Sequence, residues 1–220
     1  MKKTKKILAL ASSAVLLVTA SVMGTMAYLT STTNAVNNTF TVGNVGFDQD
    51  AALDEAKVNM YGEKLNQGGD VWEDGDTLAE RVQANEYKLI PGHEYVKDPT
   101  VHIAADSEDC WLFVKVDNGI SAIEAAGDTT IAKQMETLGW TAVTTEGFAN
   151  VYYYNNKVSA DDGDVTVFET FTLANDANVA DYASASIKIQ AYAVQADGFD
   201  SATEAWSAAP LNAWKTPAAE

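Results

Sequence analysis

Apolar and polar positions alternate along much of this chain. Such alternation predicts half-buried β-strands, because successive strand side chains point to opposite faces. Ala183, Ala185, Ile187, Ile189, Ala191 and Ala193 fall on one parity, with Ser184, Ser186, Lys188 and Gln190 on the other. Between positions 165 and 173, Val165, Val167, Phe171 and Leu173 alternate with Thr166, Thr170 and Thr172. Cys110, Leu112, Val114 and Val116 share one face of a further strand, which makes Cys110 a small buried hydrophobe rather than a reactive thiol. Shorter strands are expected over 100–104, 140–144 and 151–154. Residues 38–42 read as a strand continued by Val45 and Phe47, with a bulge or bend at Gly43-Asn44 where the parity flips.

Turn formers separate these segments at 67–70, Pro91-Gly92, 117–119, 161–164 and Asp197-Gly198. Helical patterning is scarce. Residues 129–138 predict a short helix capped by Asp128 or Thr129 and stopped by Gly139. A C-terminal helix over 201–214 begins with the capping-box spacing Ser201…Glu204 and ends at Pro210. Many short strands between turns predict a mainly β chain, an antiparallel β-sandwich with a few short helices. Residues 48–86, rich in Asp, Glu, Asn, Gln and Gly, fit this pattern least and read as an insertion with some helix.

The N-terminus has another character. Lys2, Lys3, Lys5 and Lys6 precede an apolar run over 7–23, and Gly24-Thr25-Met26-Ala27 closes it with small residues. A basic head, an apolar centre and a small-residue exit are the parts of a secretory signal. Cleavage is therefore expected between Ala27 and Tyr28. The domain reading is a signal peptide over 1–27, an extended segment or first strand over 28–47, and a single β domain over 48–220. The chain is then secreted, with signal peptidase as a partner during export and no permanent membrane anchor.

Cleavage also changes the charge. The whole chain has 14 basic and 31 acidic residues. Losing the four leader lysines leaves ten basic residues and a formal net charge of −21. A field of that sign repels phosphate backbones, so nucleic acid is not an expected partner. The chain has one cysteine and so cannot form an intrachain disulfide.

Catalytic signatures are missing from the sequence. His93-Glu94 begins like a zinc-peptidase helix, but Lys97 stands where the second histidine belongs. His102 has the opposite parity to Val101 and Ile103 and reads as an exposed strand histidine. No catalytic, cofactor-binding or metal residues are assigned. Calcium is the remaining cofactor candidate, through the acidic turns at 161–164, at Asp70 with 73–76, and at Asp106 with Glu108 and Asp109.

Three stretches resemble a known family. Ala27-Tyr-Leu-Thr-Ser31 with Val36-Asn-Asn-Thr-Phe-Thr-Val-Gly-Asn-Val45 is similar to the signal exit and mature start of the TasA/camelysin group. These are proteins exported by Gram-positive bacteria through the signal peptidase SipW. Residues 87–101 leading into 107–116 resemble the group's shared core, and 191–199 the end of its domains. The resemblance implies a jelly-roll-like sandwich and a structural role as a self-assembling subunit of biofilm-matrix or cell-surface fibres. The expected partners are further copies or related fibre subunits. In such fibres the N-terminal segment of one subunit completes a sheet of the next. Here Leu29, Phe40, Val42, Val45 and Phe47 would supply the side chains, either across subunits or as the first strand of their own domain.

Two other readings stay open at this point: a camelysin-like metallopeptidase, and a monomeric adhesin or carbohydrate-binding module using exposed Tyr152, Tyr154 and Trp111. With no sorting motif after Trp214, retention at the cell would need a partner or polymerisation. Copies carrying −21 repel one another unless salt screens them. Assembly is accordingly expected to require salt or divalent cations, followed by light scattering; equal assembly in low salt with chelator would contradict this.

Overall fold

The computed structural model describes residues 30–32, 45–48 and 52–216. The described chain is mainly β, in antiparallel sheets with two short α-helices. The strands are β1 (Thr30–Thr32), β2 (Leu53–Asp54), β3 (Glu94–Val96), β4 (Thr100–Val101), β5 (Cys110–Asn118), β6 (Trp140–Ala142), β7 (Val151–Tyr154), β8 (Val165–Thr166), β9 (Thr170–Thr172) and β10 (Ile187–Gln195). The helices are α1 (Ile131–Thr137) and α2 (Ala202–Ala208). The largest sheet has the order β1-β10-β5-β7-β6; β2-β4-β8 and β3-β9 form smaller ones.

β5 and β10 form the centre. They pair antiparallel from Cys110↔Gln195 to Asn118↔Ile187. Contrary to a half-buried strand, all five residues from Cys110 to Val114 are buried. The expected parity holds, but both faces are covered. Cys110, Leu112, Val114 and Val116, with Ala191 and Ala193, join a core that includes Tyr95, Val101, Phe168 and Phe171 from around the smaller sheets. Trp111 and Phe113, with Tyr192 and Val194, join a second core beneath α2 and Trp214. Trp111 is therefore not an exposed stacking platform. Tyr152 and Tyr154 are half-buried, Tyr154 against Trp140 with ring centroids 5.2 Å apart.

The alternation over 165–173 becomes two strands, β8 and β9. Their partners nevertheless keep one register, from Glu94↔Thr172 to Val96↔Thr170 and on through Thr100↔Thr166 to Val101↔Val165. The break falls at Pro99, which has no N–H to give; its carbonyl still accepts from Val167 N at 2.8 Å. β10 begins at Ile187 rather than Ala183, because β5 ends opposite Ile187 at Asn118. There Gly119 N donates to Ser186 O at 3.0 Å, and a Cβ at Gly119 would stand 2.7 Å from that oxygen.

α1 is capped by Thr130, whose side chain accepts from Lys133 N, rather than by Asp128 or Thr129. Gly139, at φ +94°, turns the chain into β6 as expected. In α2, Ser201 Oγ accepts from Glu204 N at 3.2 Å, and the Glu204 carboxylate accepts from Asp200 N. The helix buries Ala202, Ala205 and Trp206 on one side and ends at Ala208, with a separate 3-10 turn at Asn212–Trp214.

Residues 55–93 contain no helix, against expectation. Isolated bridges such as Glu55↔Val82 and Asn66↔Leu78 order them instead. Asn66 Oδ1 accepts from Gly68 N and Asp70 N, while Asp76 Oδ2 accepts from Asn66 Nδ2 and Glu73 N. The acidic turn is thus built by side chains capping the backbone, which competes successfully with helix formation.

Trp206 lies 5.0 Å from the Phe113 ring and 5.1 Å from Phe148, centroid to centroid. Trp206→Ala is expected to cost about 3–5 kcal/mol in urea unfolding. Trp206→Phe should cost distinctly less, since it keeps a ring and removes an indole N–H that lacks a partner among the described residues. Equal losses would show that ring packing does not hold α2 down.

Candidate assembly edge and the charged cleft beside it

Two features stand out: the edge of the largest sheet and a cleft beside it. At the edge, β1 pairs antiparallel with the end of β10, Thr30↔Val194, Ser31↔Ala193 and Thr32↔Tyr192. These residues follow the expected cleavage point closely in sequence. Ala27, Tyr28, Leu29, Phe40 and Val42 lie outside the described residues. Val45 and Phe47 are buried in the larger core of their own chain. Phe47 bridges Ile103, and flanking bonds run from Asp48 N to His102 O and from Ala104 N to Gly46 O.

The cleft has a volume of about 1070 Å³ and is lined by residues of β2, of 83–89 and of the first half of β10. Its wall is apolar at Leu53, Ile187 and Ile189; its floor is charged at Asp54, Glu55 and Lys97. Lys97 and Glu55 are both buried and form an ion pair. Asn85 Nδ2 donates to the second Glu55 oxygen at 2.8 Å and to Ala56 O at 2.9 Å, and its Oδ1 accepts from Val58 N at 3.0 Å. The Tyr87 ring lies 5.9 Å from Lys97 Nζ. Burial, together with the Glu55 charge, pushes the Tyr87 hydroxyl well above its ordinary value, and it donates to Val96 O.

A second polar network adjoins the first. Arg81 Nε donates to Asp54 Oδ1 at 2.5 Å, and Arg81 Nη2 reaches Asp98 O and Thr100 Oγ1 at 2.9 and 3.0 Å. Asp54 Oδ1 also faces His102 Nε2 at 2.8 Å, while His102 Nδ1 faces Asp164 Oδ1 at 2.6 Å. His102 is therefore not a free surface residue. Its parity does point it out of the larger core, but β4 lies between β2 and β8, so carboxylates from both neighbours close over it. Cys110 fits the buried, inert reading: desolvation first, then the Asp109 charge, pushes its thiol up to about 12.

In the turn at 161–164, Asp162 accepts from Ser159 N and Oγ. Among the described residues, no group of three or more His, Cys, Asp or Glu side chains could hold a metal ion. No described helix is long and apolar enough to cross a membrane. The chain matches no protein-family model, no curated protein and no solved structure.

Arg81, Asp54, Asp98 and the Lys97–Glu55–Asn85 group escape sequence reading because their members lie up to 44 positions apart with no recognisable spacing.

Burial alone would depress the His102 pKa, but hydrogen bonds to Asp54 and Asp164, and their charges, outweigh it and raise it above 6.5. Both ring nitrogens facing carboxylates are satisfied only in the imidazolium form. Its stabilisation is complete below pH 6.5, the unfolded value, and is lost as pH rises through the higher folded value. Thermal melts should therefore show wild type losing Tm above that pH more steeply than His102→Gln. Parallel profiles would mean the ring carries no charge there.

Proposed function

We propose that the chain is a secreted structural protein of the TasA/camelysin type, a self-assembling subunit of extracellular biofilm-matrix or cell-surface fibres. The observation that carries this reading is β1. A strand just past the expected signal cleavage point sits at a sheet edge and is held there by backbone pairing with β10. Main-chain pairing is indifferent to which chain supplies the strand, so the same edge accepts β1 of another copy. Cleavage at Ala27 would free the segment for exchange and so couple export to assembly.

The architecture fits a jelly-roll-like sandwich, the five-stranded sheet facing the smaller sheets across the larger core. In support, residues of β3, β4, β5, β8, β9 and β10 share that one core. The donor segment has a limit. Val45 and Phe47 are core residues of their own chain, and withdrawing them would empty buried space near Ile103. The donor therefore lies within 28–44, with Leu29, Phe40 and Val42 as its apolar side chains, and Val45 and Phe47 as its anchor.

Negative-stain microscopy of the mature chain, Tyr28 to Glu220, beside a version beginning at Val45, tests the reading in salt and calcium. Fibres are expected from the first and not from the second. Fibres from both, or from neither, would overturn donor-strand assembly by 28–44.

A further inference from the structure

Glu55, Asn85 and Lys97 come from separate stretches and converge on the floor of the cleft. One carboxylate bridges the other two: Glu55 Oε2 accepts from Lys97 Nζ, and Oε1 accepts from Asn85 Nδ2 at 2.8 Å. An amine nucleophile and an amide leaving group thus hang on the two oxygens of one carboxyl group. The amide's other end is held as well. Val58 N donates to Asn85 Oδ1 at 3.0 Å, which polarises Cγ and opposes any negative charge that develops on the oxygen. Lys97 and Glu55 side chains are 9% and 4% exposed, so little water competes for either. Tyr87, packed edge-on against Tyr95 and Phe171, walls the amine side. A buried ion pair needs charge compensation and hydrogen bonds to its remaining lone pairs, which Asn85 supplies to Glu55. Here the gripped group is also an amide whose carbonyl is separately polarised, so a nucleophile, an acyl group and a proton carrier share one carboxylate.

We propose that the folded chain joins Lys97 to Asn85 by an intramolecular isopeptide bond, with Glu55 carrying the protons. Glu55 takes a proton from the Lys97 ammonium, and the freed lone pair attacks Asn85 Cγ. The carbonyl electron pair moves onto Oδ1, against the Val58 N–H. Glu55 delivers its proton to Nδ2 and takes one from the attacking nitrogen. The carbonyl reforms, the Cγ–Nδ2 bond breaks and ammonia leaves, picking up the proton that Glu55 then holds. The sum is an ammonium side chain and a primary amide going to a secondary amide and an ammonium ion. Nothing is oxidised or reduced and no co-reactant is consumed.

The cleft gives ammonia a path out, since all three side chains line it. The bond would close the loop that carries β3 and Tyr87. It would supply a covalent tie to an exported chain whose one cysteine, buried Cys110, has no partner for a disulfide. The reaction is independent of assembly and of which chain supplies β1.

Intact-mass spectrometry of the secreted mature chain is the test. The expected mass is that of the sequence less one ammonia, with a digest yielding a branched peptide that joins the Asn85 and Lys97 segments. Lys97→Arg and Glu55→Ala should restore the full sequence mass. Wild type at full sequence mass after prolonged incubation at neutral pH would overturn the proposal. So would an ammonia loss that persists in Lys97→Arg, which marks cyclisation at an asparagine instead. The wild-type reading does not depend on whether either variant folds.

Discussion

The antiparallel pairing of β5 with β10 extends over the full length of both strands, and where Cys110–Val114 meets Ala191–Val194 both of its faces are dry. Backbone groups in such a place have no access to water, so each must find its partner in the ladder. This makes the register of these two strands the frame on which the rest is hung. A slip of one residue would exchange the small Ala191 and Ala193 with the bulky Tyr192 and Val194 between the two cores. The side with the alanines leaves room for Phe168 and Phe171; the side with Tyr192 meets Trp206 and Trp214. The two cores are shaped to different residue volumes, and only one register serves both.

Against these apolar cores, the cleft gathers the buried charges of Asp54, Glu55 and Lys97. Removing ions from water is costly, and pairing them offsets the cost only when the remaining lone pairs and protons are also satisfied. The networks around Asp54 and Glu55 meet that demand. Asp54 is shared by Arg81 and His102, and Glu55 by Lys97 and Asn85. Asp98 ties the two together, accepting from Arg81 and from Ala56 N at 2.6 Å. These bonds fasten the polar stretch after β2, which buries few apolar side chains of its own, to β3 and β4.

In the proposed assembly, an edge strand held by backbone bonds and an interior held by packing would have different fates when copies meet. β1 contributes main-chain pairing at the margin of the largest sheet. Val45 and Phe47 contribute buried side chains, so withdrawing them would empty part of the larger core. In the proposed assembly the donor segment would end before Val45, which lies in the larger core. Covalent closure at Lys97 would act elsewhere, stiffening the wall of the cleft rather than the exchanged edge.

The β class, the helix over 131–137, the helix starting after Ser201, the turn at Gly139 and the buried parity of Cys110, Leu112, Val114 and Val116 were all legible in the sequence. Each is a local property, decided by side chains within a few positions of one another. The sequence pattern could not reveal that Trp111 and Phe113 are buried too, since that depends on α2 arriving from ninety residues away. Nor could it reveal that Pro99 would divide the 165–173 strand, because the interruption comes from the partner strand. His102 looked exposed for the same reason: alternation says which way a side chain points, and only the neighbouring strands say what it meets. The Lys97, Glu55 and Asn85 group is the clearest case. Lysine, glutamate and asparagine in a polar sequence read as solvated surface, and tertiary contact alone buried Lys97 and Glu55 and brought Asn85 onto the same carboxylate.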